Sequence, residues 1–158
     1  MKRACLLVVL CFLVAAGPAP ATEQAPSAPP ARAKCPVCGM FVAKYPDWTG
    51  AIRFKDAATV YFDGPKDLFT YYLAVGKYSP GKDRSAIDAL FVKDYYALTV
   101  IDASKAFYVI GSDVRGPMGK ELVPFAKGDD ARGFLHDHRG RSVLRFGEIT
   151  QETLKALE

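Results

Sequence analysis

Alternating apolar and polar residues predict two strands in the first half of the chain, at Gly50–Phe54 and Thr59–Phe62. A helix is expected directly after them, because Asp63 or Gly64 can cap it and Pro65 suits its first turn. Its apolar residues recur at i, i+3 and i+4, so one face would pack on the two strands. We expect this helix to end near residue 76, which is a glycine.

The second half of the chain contains further short apolar runs, separated by polar and glycine-containing connections. They predict strands at 87–92, 97–101, Phe107–Ile110, 122–125 and 142–146. Short helices are predicted at 129–138 and after Thr150, whose hydroxyl suits an N-cap, and a single helical turn at 102–106. Pro124 cannot donate a hydrogen bond to a neighbouring strand, so its strand should lie at a sheet edge.

A similar order of features occurs twice along the chain. A loop containing methionine precedes a strand, a connection, a second strand and a capped helix in residues 40–75 and again in 118–157. The spacing is unequal and the second stretch has an additional short helix, so this order leaves duplication open. We interpret the chain as two small α+β units, at 35–86 and 87–158, with mostly antiparallel strands.

The N-terminal residues have the pattern of a secretory signal peptide. Two basic residues precede an apolar run that ends in an Ala-x-Ala pattern, so residues 1–21 are predicted to be removed and the mature protein to be periplasmic. Lipid attachment at Cys11 is less expected, because leucine rather than a small residue precedes it. An extended, mobile leader rich in alanine and proline is predicted at 22–34.

Charge and composition narrow the classes of partner. The formal net charge of +4 falls to +2 when Lys2 and Arg3 leave with the signal peptide, which gives no support for binding nucleic acid or an anionic membrane. Hydrophobic residues make up 50% of the chain, enough to form a core. The remaining residues suit one domain or two small ones.

Three sulfur-containing residues, Cys35, Cys38 and Met40, lie within a segment that we call the sulfur loop (residues 35–40). Thiolate and thioether sulfurs are soft donors that favour Cu(I), and cysteines alone also favour zinc or iron–sulfur centres. The loop therefore predicts a soft-metal site. A C-x-x-C pair also occurs as a short disulfide or a redox dithiol, and the sequence leaves these alternatives open.

Met118 is a further candidate sulfur ligand. It lies between Pro117 and Gly119, residues that interrupt helices and strands, so a loop should present its thioether instead of burying it in an apolar face. Methionine is more commonly a core residue. For Met40, the apolar residues that follow favour that core role over ligation.

The two histidines, His136 and His138, are separated by one residue near the end of a predicted helix. Together with Cys35 and Cys38 they would complete a Cys2His2 set, but structural zinc fingers space their histidines by three to five residues. A solvated helix end, where the helix dipole favours a charged histidine, is the alternative. We retain His138 as a candidate metal ligand ahead of His136.

Motifs for other chemistries are absent or incomplete. Glycine rather than histidine follows the C-x-x-C pair, which excludes attachment of c-type haem. No G-x-S-x-G, P-loop, H-E-x-x-H or G-x-G-x-x-G motif occurs. Asp63, Asp67 and Asp94 are interpreted as helix caps and turn residues, so no carboxylate pair suggests acid–base catalysis. The sequence predicts a protein that is not an enzyme.

Several motifs, taken in order, resemble the NosL family. They are Cys38-Gly-Met-Phe-Val, Tyr61-Phe-Asp-Gly-Pro-Lys-Asp67, Tyr108-Val-Ile-Gly-Ser-Asp113, and Gly116-Pro-Met-Gly119 followed by Val123-Pro-Phe125. The resemblance implies two similar ββαβ-type units. It also implies an exported copper-binding accessory protein that carries Cu(I) toward assembly of the copper centres of nitrous oxide reductase. The expected partners are that reductase or its copper-loading transporter complex.

The resemblance further implies which residues bind Cu(I). The family's cysteine before Gly-Met corresponds to Cys38, and its loop methionine corresponds to Met118. Cys35 departs from the family pattern, which often has a single cysteine here, and would either complete the coordination or close the site as a disulfide. His138 is the alternative third donor, and Met40 is the remaining sulfur nearby.

Two functions from other classes remain as alternatives at this point. One is a periplasmic thiol–disulfide oxidoreductase that uses Cys35 and Cys38, which needs an accessible thiol of lowered pKa. The other is an interaction domain stabilised by zinc, which would unfold when the metal is removed.

Overall fold

A computed structural model of the protein describes residues 25–158. The predicted signal peptide, with Cys5 and Cys11, lies outside the described residues. Within the described part of the chain, no helix combines the length and apolar character that crossing a membrane requires.

The first sheet contains four antiparallel strands, β1 (Gly50–Phe54), β2 (Thr59–Phe62), β3 (Ile87–Lys93) and β4 (Val100–Asp102), in the order β2-β1-β3-β4. The first two strands occupy the residues that the alternating pattern predicts. The third and fourth begin or end within three residues of their predicted bounds. The predicted boundary between units at residue 86 falls before β3, whereas β3 and β4 belong to this first sheet.

Helices α1 (Pro65–Leu73) and α2 (Val75–Tyr78) connect β2 to β3. Gly64 is the N-cap residue of α1 and Pro65 occupies its first turn, as the sequence predicts. The helical run is broken at Ala74, whose φ of −140° is not helical, so α1 ends earlier than predicted and Gly76 falls within α2.

The second sheet forms around a buried central strand, β5 (Phe107–Ile110). A small hairpin of β6 (Arg115–Gly116) and β7 (Gly119–Lys120) follows it. Strands β8 (Val123–Phe125) and β9 (Ser142–Arg145) then pair antiparallel with the two sides of β5, giving the order β8-β5-β9. Strand β8, which contains a proline, is therefore an edge strand as predicted.

Helix α3 (Gly128–Asp137) connects β8 to β9, and helix α4 (Gln151–Lys155) ends the chain. The side chain of Thr150 accepts a hydrogen bond from the backbone N–H of Thr153, which confirms the predicted cap of α4. The predicted helical turn at 102–106 is instead an irregular turn between β4 and β5.

Both sheets share one topology, two antiparallel strands, a helix and a third antiparallel strand beside the first. The set is β1, β2, α1 and β3 in the first sheet, and β5, β8, α3 and β9 in the second. The α+β class with two ββαβ-type units and antiparallel strands is thus confirmed. The second unit begins with β5 and not with the loop around residue 118, because the two halves correspond strand by strand and not by their methionine loops.

Helix α1 lies between the two units and packs against both. Its Phe69 makes an edge-on contact with Tyr108 of β5, at 5.1 Å between ring centroids, and Tyr71 makes one with Phe62 of β2 at 5.2 Å. Residues of both sheets, α1 and the C-terminal segment form a single buried cluster. The two units therefore share a core.

The segment that precedes the sulfur loop contacts the first sheet. The hydroxyl of Tyr61 donates a hydrogen bond of 3.2 Å to the carbonyl of Ser27, and Lys34 forms a β-bridge with Phe41. Part of the segment predicted as a mobile leader is thus held against the folded unit.

Candidate metal centre

The sulfur loop is closed by two backbone hydrogen bonds. The N–H of Cys35 donates to the carbonyl of Met40 at 2.9 Å, and the N–H of Gly39 donates to the carbonyl of Cys35 at 2.8 Å. Gly39 has a φ of +79°, a left-handed conformation that glycine adopts without strain. This tight turn keeps the two cysteines on one short, closed segment.

Both thiols face carboxylates at the beginning of α1. The thiol of Cys35 donates to Oδ2 of Asp67 at 3.1 Å, and the thiol of Cys38 donates to Oδ1 of Asp63 at 3.3 Å. One ligand atom from each of these four residues lies within 4.8 Å of the other three. Two soft sulfur donors and two oxygen donors therefore surround a volume that one metal ion can occupy.

The site is largely removed from solvent. Cys35 is 1% exposed, Asp63 is 0% exposed and Asp67 is 4% exposed, while Cys38 is partly buried. Cys38 is thus the member of the group with the greatest access to an incoming ion or reagent.

Burial sets the protonation of the two thiols. Loss of hydration and then the hydrogen bond to a neighbouring carboxylate raise the pKa of Cys38 to about 12. The same causes raise the pKa of Cys35 still further, and burial also raises the pKa of Asp67. At neutral pH both sulfurs are protonated thiols, so a metal ion must displace their protons to bind.

These pKa values oppose the oxidoreductase alternative. Exchange with a disulfide begins with attack by a thiolate, and reactive cysteines have lowered pKa values. Here the thiol pKa values are raised and one cysteine is buried. The pair is suited to ligation by displacement of protons and not to rapid nucleophilic attack.

Met118 lies in the turn of the β6–β7 hairpin and is 41% exposed. It is therefore not a core residue. Its backbone carbonyl accepts a hydrogen bond of 2.6 Å from Nζ of Lys66, the residue directly before Asp67 in α1. The structure thus attaches the methionine loop to the helix that supplies a carboxylate to the site. Met40 is partly buried, and its carbonyl helps to close the sulfur loop.

His138 is placed elsewhere. Its Nδ1 lies 3.0 Å from Oδ1 of Asp113, and its ring stacks on Phe134 at 4.3 Å between centroids. His136 is exposed and lies beside Asp137. Within residues 25–158, the cluster of close donor atoms contains no histidine. The structure therefore does not bring the predicted His138 ligand to the cysteines.

Asp63 and Asp67 are the site residues that the sequence analysis missed. They were interpreted as cap and turn residues, because an aspartate after a strand and one in the first turn of a helix are both common. The feature of the sequence that could have indicated a metal site is the position of these two aspartates. Asp63 lies just before the N-cap residue Gly64 and Asp67 lies in the first turn of α1, so the two are four residues apart where β2 leads into α1. Asp94 is a turn residue as interpreted, accepting from the N–H groups of residues 96, 97 and 126.

Comparison with known proteins agrees with the motifs. The model of the NosL family matches residues 26–154, most of the chain. The chain belongs to the NosL family.

Relatives within the NosL family have names that refer to copper. The copper-binding lipoprotein NosL of Stutzerimonas stutzeri is 32% identical over 130 residues, covering 77% of this chain and 64% of that protein. The protein of the same name from Achromobacter cycloclastes is 49% identical over 51 residues, covering 32% of this chain and 26% of its own length. This chain thus spans less than two thirds of the length of either relative.

A solved NosL structure has the same fold. The crystal structure of the copper chaperone NosL from Shewanella denitrificans superposes with a TM-score of 0.69 at 27% sequence identity, covering 82% of this chain and 98% of that one. These relatives are named as copper-binding proteins and a copper chaperone, and none of these names describes an enzyme.

Proposed function

We propose that this protein is an exported Cu(I) carrier that supplies copper for assembly of the copper centres of nitrous oxide reductase. The observation that carries the proposal is the group formed by Cys35, Cys38, Asp63 and Asp67, in which both thiols are brought to one buried point. The names of the NosL relatives support copper as the metal.

In this proposal the sulfur ligands favour Cu(I) as the oxidation state of the bound copper. Thiolate and thioether ligands stabilise Cu(I), whereas carboxylates prefer harder cations. Cys35 and Cys38 supply the thiolates, and Met118 supplies a thioether from the second unit. Asp63 and Asp67 then serve as acceptors for the thiol protons before binding, and their charge favours entry of a cation.

A site with few ligands also suits transfer. Cu(I) held by two thiolates and one exposed thioether leaves a side on which a partner's ligand can bind first. Dissociation of the Met118 thioether would then release the ion stepwise. The recipient in this proposal is the reductase itself or its copper-loading transporter complex, outside the cytoplasm.

Competition with a chromophoric Cu(I) chelator, under anaerobic conditions, tests the site. The mature protein should bind one Cu(I), Cys38→Ser should abolish tight binding, and Met118→Leu should weaken it by about tenfold, the loss of one ligand interaction. His136→Ala is the matched control, because this exposed histidine lies outside the group, and it should bind like the wild type. Wild-type affinity in both sulfur variants would remove these residues from the site.

Delivery is tested separately in a denitrifying host that lacks its own family member. The wild-type gene should restore copper content and activity of nitrous oxide reductase, and the Cys38→Ser gene should not. Restoration by both genes would show that copper binding at this site is not the contribution of the protein.

A further inference from the structure

A buried glutamate from the second unit caps helix α1 of the first. Glu121 is 2% exposed, and its Oε1 accepts hydrogen bonds from the N–H of Lys66 at 2.5 Å and from the N–H of Leu122 at 3.0 Å. The N-cap residue of α1 is Gly64, which has no side chain to accept from the free N–H groups of the first turn. A residue distant in sequence therefore supplies the cap.

Two glycines leave space for the side chain of Glu121. A Cβ atom on Gly64 would lie 2.6 Å from Oε2 of Glu121, and one on Gly116 would lie 2.9 Å from its Cγ. Neither contact is tolerated by real side chains, so only glycine at both positions allows the hairpin to approach the start of α1 this closely.

Lys66 joins the same two elements a second time. Lys66 as a residue is 9% exposed, and its ammonium group donates a hydrogen bond to the carbonyl of Met118 at the hairpin turn. Lys66 thus binds the hairpin through its backbone N–H, to Glu121, and through its side chain, to Met118. The next residue is Asp67, whose carboxylate accepts a hydrogen bond from the thiol of Cys35.

A cap alone does not account for this arrangement. Burying a carboxyl group and an ammonium group is costly, and a serine or aspartate at the N-cap position would cap the helix locally. Oε2 of Glu121 has no hydrogen-bond partner among the described residues, and burial raises the pKa of this carboxyl to about 8. What the distant pair adds over a local cap is a fixed position of the hairpin turn relative to α1.

We propose that Lys66 and Glu121 are positioning residues, which hold the β6–β7 hairpin against the start of α1 so that Met118 is presented to the ion bound by Cys35 and Cys38. The inference rests on the proposed function, because it requires Met118 to be a copper ligand. It adds that the thioether is a fixed ligand, placed by contacts that do not touch the metal.

A double-mutant cycle on Cu(I) affinity tests the inference with the full mature protein. Lys66→Met removes the ammonium group and keeps the aliphatic stem, so Glu121 can still cap the helix. We expect it to lower Cu(I) affinity by about three- to tenfold in the wild-type background, the net effect of losing one ordinary hydrogen bond. In a Met118→Leu background the same change should alter affinity less than about twofold, because the ligand it positions is gone.

Two further variants separate positioning from charge and from folding. Lys66→Arg keeps the charge beside Asp67 and a donor for the Met118 carbonyl, so it should restore most of the affinity. Gly116→Ala displaces the hairpin from its other side and should reproduce the loss and the coupling to Met118. The matched control is Lys120→Met, which removes an exposed ammonium from the same hairpin and should leave affinity unchanged.

The outcomes distinguish a failure of the positioning role from a failure of the copper site. An equal loss from Lys66→Met in both backgrounds, or no loss in either, would overturn the positioning role while leaving the copper site intact. Unchanged affinity in Met118→Leu itself would instead remove Met118 from the site and the positioning role with it, and Cys38→Ser would then show whether the cysteine site survives.

Discussion

Buried carboxyl groups dominate the residues at the start of α1. Asp63, Asp67 and Glu121 are all removed from solvent, and the pKa values of the last two are raised by burial. Such groups favour a nearby cation, because a positive charge offsets the cost of burying negative ones. In the metal-free protein the thiols of Cys35 and Cys38 donate hydrogen bonds to the two aspartates, and the charge of Lys66 opposes the rise in the pKa of Asp67 and Glu121.

The carboxyl group of Glu121 should make the free energy of unfolding depend on pH. Burial raises its pKa to about 8 from an ordinary value of 4.5, so the folded protein holds this proton more tightly than the unfolded chain does. Its contribution to stability is therefore complete below about pH 4.5 and is lost as the pH rises through about 8. Glu121→Gln keeps the capping oxygen and cannot titrate.

Urea unfolding of the metal-free protein at several pH values between 5 and 9 measures this effect. The free energy of unfolding of the wild type should fall relative to that of Glu121→Gln as the pH increases. The difference between the two proteins therefore reports the titration of Glu121 together with its coupling to charged neighbours. Parallel curves for the two proteins would show that the carboxyl of Glu121 is not perturbed.

The sequence indicates the sulfur atoms of the candidate site more clearly than its carboxyl groups. Two cysteines and a glycine turn specify a closed loop by spacing alone, so Cys35 and Cys38 could be named in advance. Asp63 and Asp67 could not, because a helix cap and a metal-site carboxylate have the same local sequence. The placement of His138 also depends on Asp113, a contact between residues distant in sequence that the local sequence does not indicate.

At the scale of elements, the sulfur loop combines a reactive residue type with an unreactive environment. Its thiols have raised pKa values, and only the thiolate form reacts with an alkylating reagent. With the pKa of Cys38 raised to about 12, its thiolate fraction at pH 7 is about a thousandfold below that of an ordinary cysteine.

Alkylation by iodoacetamide, followed by mass spectrometry, should therefore be slow in the folded, metal-free protein. We expect Cys38 to react before Cys35, since Cys35 is 1% exposed, and both to react at least about a hundredfold faster in urea. The urea-unfolded chain is the internal control for reagent and pH. Rapid modification of the folded protein at pH 7 would instead favour an activated dithiol and the oxidoreductase alternative.

Strands and helices follow the sequence closely where the pattern is local. Strand β1, strand β2 and the cap of α4 lie where alternation and capping residues predict them. The boundary between the two units at residue 86 does not follow from local pattern. The pairing of β3 with β1 is a contact between distant residues that periodicity does not encode. For the same reason the repeat in the sequence pairs the two methionine-containing loops, whereas the structure pairs equivalent strands.

Across the protein as a whole, the two ββαβ units meet at one helix, beside the candidate metal centre. Helix α1 packs on both sheets, carries Asp67, and receives the hairpin that bears Met118. The sulfur loop lies before the first unit, and the turn of the β6–β7 hairpin, with Met118, lies within the second. Our central claim is that one Cu(I) ion is bound by sulfur atoms from these two segments.

Copper K-edge X-ray absorption of the Cu(I)-loaded mature protein tests that claim most directly. The copper in the wild type should be coordinated by sulfur, and Met118→Leu, which still binds Cu(I) through the two cysteines, should show one sulfur fewer. Coordination dominated by oxygen or nitrogen, or a sulfur count unchanged in Met118→Leu, would contradict a sulfur site formed between the two units.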